Sequence, residues 1–176
     1  TSSKGKIIKN LEVIREGIER DKLIKSAVVG MHIEGPFISE IDGPRGAHDK
    51  AYIRNPDYQE YKEWQDAAGG LVKIVTLAPE REGALSFIER VRQDNVKVAI
   101  GHSAASPEDI KKAVSAGASM STHLGNGSHA QIPRLMNYLW EQLAADELHT
   151  GIISDGFHLP ESVVKVIYRV KGRERL

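Results

Sequence analysis

The stretch VKVAIGHSAASPEDIKKAVSAGASMSTH, residues 96–123, decides the fold. Its first residues, Val96–Ile100, are an apolar, strand-length run that breaks at Gly101. A helix signal follows. Ser106 stands where an N-cap belongs, Pro107 at the first helical position, Asp109 near the third, and Gly117 just past the last turn. A second apolar run, Ala118–Thr122, then begins. A buried strand, a helix and another buried strand form a crossover unit, which returns the second strand parallel to the first.

The same rhythm extends in both directions. Further strand-like runs are Ala27–His32, Leu71–Leu77 and Gly151–Ser154. Helical patterns separate them. Ile8–Ile24 places Ile8, Leu11, Val13, Ile14, Ile18 and Leu23 near one stripe, and Pro79–Asp94 carries Leu85, Ile88 and Val91 at spacings of three. Pro133–Ala145 and Pro160–Val170 each open on proline, which a first helical turn tolerates. The alternation implies a parallel α/β sheet with crossover helices. An open doubly wound sheet and a segment of a (β/α)8 barrel both satisfy it. The exception is Glu40–Gly70, read as a long loop with a short helix near Asp57–Ala68. Long insertions of this kind in compact domains are commonly functional.

Composition narrows the function. The 176 residues suit one domain with its own core. Lys and Arg number 24 and Asp and Glu 24, so no net field draws nucleic acid or an anionic membrane. The absence of Cys removes thiolate metal sites, thiol nucleophiles and disulfides. No apolar run approaches the ~20 residues of a membrane span. The first residues lack the apolar region of a signal peptide, so a cytoplasmic location is expected.

The chemistry collects just after the strands. These segments read His32-Ile33-Glu34-Gly35-Pro36, Thr76-Leu77-Ala78-Pro79-Glu80, Gly101-His102-Ser103, Thr122-His123-Leu124-Gly125-Asn126 and Ser154-Asp155-Gly156-Phe157-His158. In parallel α/β folds ligands bind at the carboxyl ends of strands, where loops from distant sequence converge. Glu34, His102 and His123 offer one oxygen and two nitrogen donors from three strands. That set suits Zn2+ or another divalent first-row ion with a position left for water. The competing reading makes each an ordinary hydrogen-bonded loop residue. His32 shares the face of Glu34 and reads as support. Asp155 reads equally as a ligand or as the cap of its own turn before Gly156. His48 reaches a substrate or is a surface histidine. Asn126, Gly127 and Arg134 suit an anion, or a plain turn and a surface arginine. Tyr138 and Trp140 read as core or interface.

Taken in order, His-Ile-Glu-Gly-Pro-Phe (32–37), Gly-Ala-His (46–48), Val-Thr-Leu-Ala-Pro-Glu (75–80), Gly-His-Ser (101–103), Thr-His-Leu-x-Asn (122–126) and Asp-Gly-x-His (155–158) resemble the N-acetylglucosamine-6-phosphate deacetylases of the amidohydrolase superfamily. The resemblance implies a TIM-type (β/α)8 barrel with a small β-sandwich. Residues 1–176 would then be a single incomplete catalytic barrel domain supplying about strands three to seven, with strands one, two and eight and the β-sandwich outside it. It implies removal of acetate from a 2-acetamido sugar phosphate, with one divalent metal ion (Zn first; Fe, Mn, Co or Ni otherwise) on Glu34, His102 and His123. His48 would polarise the substrate carbonyl. Asn126, Gly127, Arg134 and His158 would contact substrate, and Arg134 would do so across a homodimer. The general-base aspartate of the family would fall beyond Leu176.

Three departures accompany the match. The family's usual Thr-His-Leu-(Phe/Tyr)-Asn-Ala-Met has Gly125, Gly127 and Ser128 in place of the aromatic, Ala and Met. Its Arg-Glu-Pro-Gly is Arg134-Leu135-Met136 here, and its Gly-His-Ser-Asn-Ala is Gly-His-Ser-Ala-Ala. They bear on the sugar-phosphate loop more than on hydrolysis. The expectation is therefore an amide hydrolase in amino-sugar catabolism, the segment alone being inactive. An amidohydrolase for another N-acyl sugar or amino acid stands second. A non-catalytic sugar-phosphate-binding or truncated protein stands third.

Overall fold

Five short strands pair in chain order, all parallel: β1 (Met31–Glu34), β2 (Val72–Leu77), β3 (Lys97–Ile100), β4 (Met120–Ser121) and β5 (His149–Thr150). A doubly wound sheet reverses its strand order at a switch point. This order never reverses, so the ladder is that of a (β/α) barrel segment. The computed structural model describes every residue, Thr1–Leu176.

Helices α1 (Lys4–Arg20) and α2 (Lys22–Ala27) precede β1, α3 (Tyr58–Ala68), α4 (Ala84–Gln93), α5 (Pro107–Ala116) and α6 (Tyr138–Ala144) connect successive strands, and α7 (Glu161–Lys171) follows β5. Their ends follow from local chemistry. Ser106 and Asp109 form the reciprocal capping box of α5, and Gly117 closes it with a left-handed φ of 117°. Asp57 caps α3 by accepting from the Gln59 and Glu60 amides.

The sheet face toward the helices carries Val75, Leu77, Val98 and Ile100, all buried against Ile88, Val91, Ile110 and Ala113. Trp64 of α3, Phe37 and Phe87 fill the space above β1 and β2; the Phe37 and Trp64 rings stack at 4.9 Å. The opposite face carries His32, Glu34 and Thr76 beside Ile74 and Ala99. In register, Glu34 pairs with Thr76 and Thr76 with Ala99, so this interior row ends at the strands' carboxyl edge.

Several boundaries differ from the sequence reading. The pattern over Ile8–Ile24 is two helices. Asp21 interrupts it, because its carboxylate caps α2 by accepting from Leu23 and Ile24 N–H at 2.7 and 3.1 Å. Only Leu11 and Ile18 of the stripe are buried; Val13, Ile14 and Leu23 are exposed. Because α2 runs through Ala27, β1 begins at Met31 and includes Glu34. β5 begins earlier than Gly151, although Gly151 N–H still continues the ladder to the Ser121 carbonyl at 2.8 Å. α6 starts at Tyr138 because Asn137 caps it, not Pro133. Its far end is held by Lys171. The buried ammonium donates to the carbonyls of Gln142, Ala145 and Leu148 at 2.7, 2.7 and 3.2 Å.

Candidate metal centre

Glu34 lies at the last position of β1, and its Oε1 is the hub of the site. His102 Nε2 and His123 Nε2 each lie 2.7 Å from it and 3.0 Å from one another. His48 Nε2 adds a fourth group, 3.2 Å from His102 Nε2. Glu34, His48 and His102 offer donor atoms all within 4.8 Å of one another, and His123 joins them through its contacts with Glu34 and His102.

Strand alternation alone would not build this cluster. Val98 and Ile100 face the helices, and continuing that pattern would send His102 the same way. His102 instead has φ 50° and His123 φ 33°, both in the left-handed region. Non-glycine residues there are strained, and such strain persists only where surrounding structure imposes it. Here it turns both rings into the barrel mouth.

The loop after β1 then fixes the His102 ring. His102 Nδ1 donates to the Pro44 carbonyl at 2.9 Å. With a metal bound, its Nε2 would therefore offer a lone pair, on the edge of the ring that faces the Glu34 carboxylate and two further imidazole nitrogens. Glycine backbone lies on both sides of the ring. A Cβ on Gly127 would lie 2.7 Å from Nδ1, and one on Gly46 would lie 3.3 Å from Cε1. Arg45 Nη1 donates to the His48 carbonyl at 2.7 Å and pairs with Asp42, bracing the same loop.

Lone pairs that converge at these separations need a positive centre among them. Without a metal, hydrogen bonds from His102 and His123 hold the Glu34 carboxyl far below the usual carboxylate range. Burial acts to lower His123, but the Glu34 carboxylate outweighs it and raises that pKa. Burial, then neighbouring His102, lowers His48 to about 4. One carboxylate oxygen and imidazole nitrogens, one of them orientated by a backbone carbonyl, fit a divalent first-row ion. His123 Nδ1 is buried with no hydrogen-bond partner.

Beneath this cluster runs a polar chain: His32 Nε2 lies 2.7 Å from Thr76 Oγ1, which lies 2.7 Å from Thr122 Oγ1. It ties the strand bearing Glu34 to the residue before His123, crossing over Gly101. A Cβ at Gly101 would lie 2.8 Å from both Thr122 Cβ and Thr76 Cγ2. We expect Gly101→Ala to cost about 1–3 kcal/mol by overpacking. Urea denaturation checks this; an unchanged midpoint would show that the chain has room to spare.

The remaining sequence candidates are placed differently. Asn126 and Gly127 line a crevice beside His102, with Thr122 and Ser128. Asn126 uses its own amide and its Nδ2 to hold the His123 carbonyl at 2.9 and 3.3 Å. Asp155 caps its own turn. It accepts from Phe157 and His158 N–H and from His158 Nδ1, which lowers its pKa to about 2. His158 is exposed, and Asp155 is its side-chain partner. Arg134 is exposed, on the rim of an apolar groove of about 400 Å3 between α6 and α7 that none of the Glu34 cluster lines. Trp140 lies half-exposed on that groove while Tyr138 is buried. Sequence reasoning quoted Gly46, Thr76 and Thr122 within its motifs but gave none of them, nor Pro44, a role of its own. Only the threonines left a signal, as polar residues inside or ending apolar strand runs.

A sequential parallel ladder whose carboxyl ends bring one glutamate and several histidines together defines an amidohydrolase-type barrel segment. No family model matches the chain. Among proteins of known function it is similar to the N-acetylglucosamine-6-phosphate deacetylase of Bacillus subtilis, with 35% identity over 178 residues, covering 100% of this chain and 44% of that protein. An N-acetylgalactosamine-6-phosphate deacetylase from a Shewanella species is 34% identical over 149 residues, which is 85% of this chain and 37% of that one. The crystal structure of the Mycobacterium smegmatis N-acetyl-D-glucosamine-6-phosphate deacetylase superposes with a TM-score of 0.88 at 30% identity, covering 99% of this chain and 44% of that chain. The structure of a mutant of that enzyme in complex with N-acetyl-D-glucosamine-6-phosphate superposes with a TM-score of 0.89 at 30% identity, covering 100% of this chain and 44% of that chain. The chain is a homologue of the N-acetylglucosamine-6-phosphate deacetylases, and it spans under half the length of these relatives.

Proposed function

We propose that the protein carrying this chain is a metal-dependent amide hydrolase that removes acetate from N-acetylglucosamine 6-phosphate in amino-sugar catabolism. The observation that carries the reading is the Glu34 oxygen shared at 2.7 Å by His102 and His123 at three strand ends. Glu34, His102 and His123 would hold one divalent ion, Zn2+ first and Fe, Mn, Co or Ni otherwise. Such an ion, when bound, supplies a Lewis acid for the amide carbonyl and acidifies water.

The chain's own residues do the rest. His48 presents Nε2 beside the same cluster and would donate a hydrogen bond to the carbonyl oxygen as charge develops on it. Asn126 and Gly127, lining the crevice with His102, would contact the phosphate side of the substrate. Arg134 and His158, both exposed, would contact the substrate, Arg134 at its phosphate across a homodimer. Residues 1–176 would form one incomplete barrel domain, with strands one, two and eight, the β-sandwich and the general-base aspartate supplied elsewhere in the protein. We place it in the cytoplasm, acting on a small molecule rather than on nucleic acid or membrane; no helix is long and apolar enough to cross a membrane.

A second reading has an observation of its own. Gly125, Gly127 and Ser128 alter the loop beside His102, and a relative similar over most of the chain acts on N-acetylgalactosamine 6-phosphate. Acetate release by the full-length protein separates the two. Release from N-acetylglucosamine 6-phosphate is expected, with slower turnover of the galacto epimer and of the unphosphorylated sugar. Preference for the epimer or another N-acyl compound would replace the substrate assignment. No release from any of them would leave a binding protein.

A further inference from the structure

We propose that Glu80 is the positioning residue for His102. It sits past the end of β2, after Ala78-Pro79, and hydrogen-bonds to no member of the Glu34 cluster. Both of its oxygens go to the turn that follows His102. Oε2 accepts the Ser103 hydroxyl at 2.7 Å and Oε1 accepts the Ala104 N–H at 2.6 Å. The Ser103 hydroxyl oxygen accepts in turn from Ala105 N–H at 3.0 Å. One carboxylate thus gathers three successive residues, of which Ser103 and Ala105 are buried.

The helix behind that turn does not need this clamp. α5 is already capped by Ser106 and Asp109, whose capping box uses the Ser106 and Asp109 amides. The donors Glu80 takes lie upstream, at the point where the chain leaves the left-handed conformation of His102, φ 50°. A non-glycine residue stays there only if its neighbours leave no alternative. On one side the Ser39 amide donates to the His102 carbonyl at 2.9 Å. On the other side Glu80 holds residues 103–105. Release of the second hold would free the turn to relax to a right-handed backbone, carrying the ring away from Glu34 and His123.

The inference rests on His102 being a metal ligand, and the experiment keeps the two claims apart. Zn2+ affinity of the full-length protein is measured by competition with a chromophoric chelator for wild type, Glu80→Ala, Glu80→Gln and His102→Ala. Thermal unfolding of each metal-free protein is recorded alongside. Glutamine keeps an acceptor for Ala104 N–H and offers its amide to Ser103, so geometry survives while charge is lost. Glu80→Ala should weaken Zn2+ binding about 10- to 100-fold, the range seen when groups orientating a ligand are removed, while Glu80→Gln stays within about threefold of wild type. The Ser103→Ala change should add little to the Glu80→Ala loss, because both remove the same clamp. If Glu80→Ala does not fold, Glu80→Asp, too short for both contacts, makes the same comparison.

Unchanged affinity in Glu80→Ala, with a large loss in His102→Ala, overturns the role of Glu80 and leaves the ligand assignment intact. Equal losses in Glu80→Ala and Glu80→Gln also overturn it, since charge rather than the clamp would then matter. Unchanged affinity in His102→Ala overturns the ligand assignment and the proposal with it.

Discussion

In the full-length protein, replacing Glu34 with alanine should empty the proposed metal site and abolish the proposed acetate release. Glu34 is the carboxylate at the centre of the cluster, and two imidazoles share one of its oxygens. Its removal would leave three histidine nitrogens facing one another, His102 lying 3.0 Å from His123 and 3.2 Å from His48, with no negative charge to balance a cation. The loss of affinity should exceed the ~100-fold upper end that removal of a supporting residue costs. Metal content after dialysis, measured by elemental analysis, checks this. A variant that retained wild-type metal would remove Glu34 from the ligand set. A second readout is the stabilisation that added Zn2+ gives the folded state, which mass action ties to affinity and which should vanish in Glu34→Ala.

Trp64→Ala should be among the most destabilising single changes in this chain. The ring is fully buried on α3 and stacks on Phe37 at 4.9 Å, and Phe37 meets Phe87 edge-on at 5.4 Å. A buried tryptophan truncated to alanine costs about 3–5 kcal/mol through lost burial and the cavity left behind. Trp64 Nε1 is buried without a partner. Trp64→Phe removes that donor and keeps a ring, so it should cost under about 2 kcal/mol. Urea denaturation monitored by far-UV circular dichroism separates the two variants, and equal midpoints would refute the packing argument. The effect should reach the metal as well. Phe37 lies three residues after Glu34, and its carbonyl accepts the Ala78 N–H at 2.9 Å, so loss of its stacking partner loosens the segment that carries the carboxylate.

The β/α rhythm, the capping of α5 and the helix after Asp57 were legible in the sequence because each is a local pattern: apolar period, cap residue, closing glycine. The convergence of Glu34, His102 and His123 was legible for a different reason. Parallel strands bring their carboxyl ends together, so polar residues just after apolar runs meet. What stayed hidden depended on pairing or on main-chain groups. Barrel segment and doubly wound sheet share one periodicity and part only in strand order, so periodicity left them open and the motif resemblance pointed to the barrel that the strand order bears out. The break at Asp21 was masked by apolar residues that continue across it. The Pro44 carbonyl and the ring-facing backbone of Gly46 and Gly127 act without side chains. The left-handed turns at His102 and His123 have no residue signature, since histidine there is uncommon.

The segment from Ser39 to His48 has a consequence for how the site responds to disturbance. It supplies the carbonyl that keeps a proton on Nδ1 of His102, and it carries His48 a few residues later. Displacing that segment would withdraw one imidazole and, in the same movement, free the tautomer of another. A substitution along this stretch should therefore weaken both imidazoles together rather than one at a time.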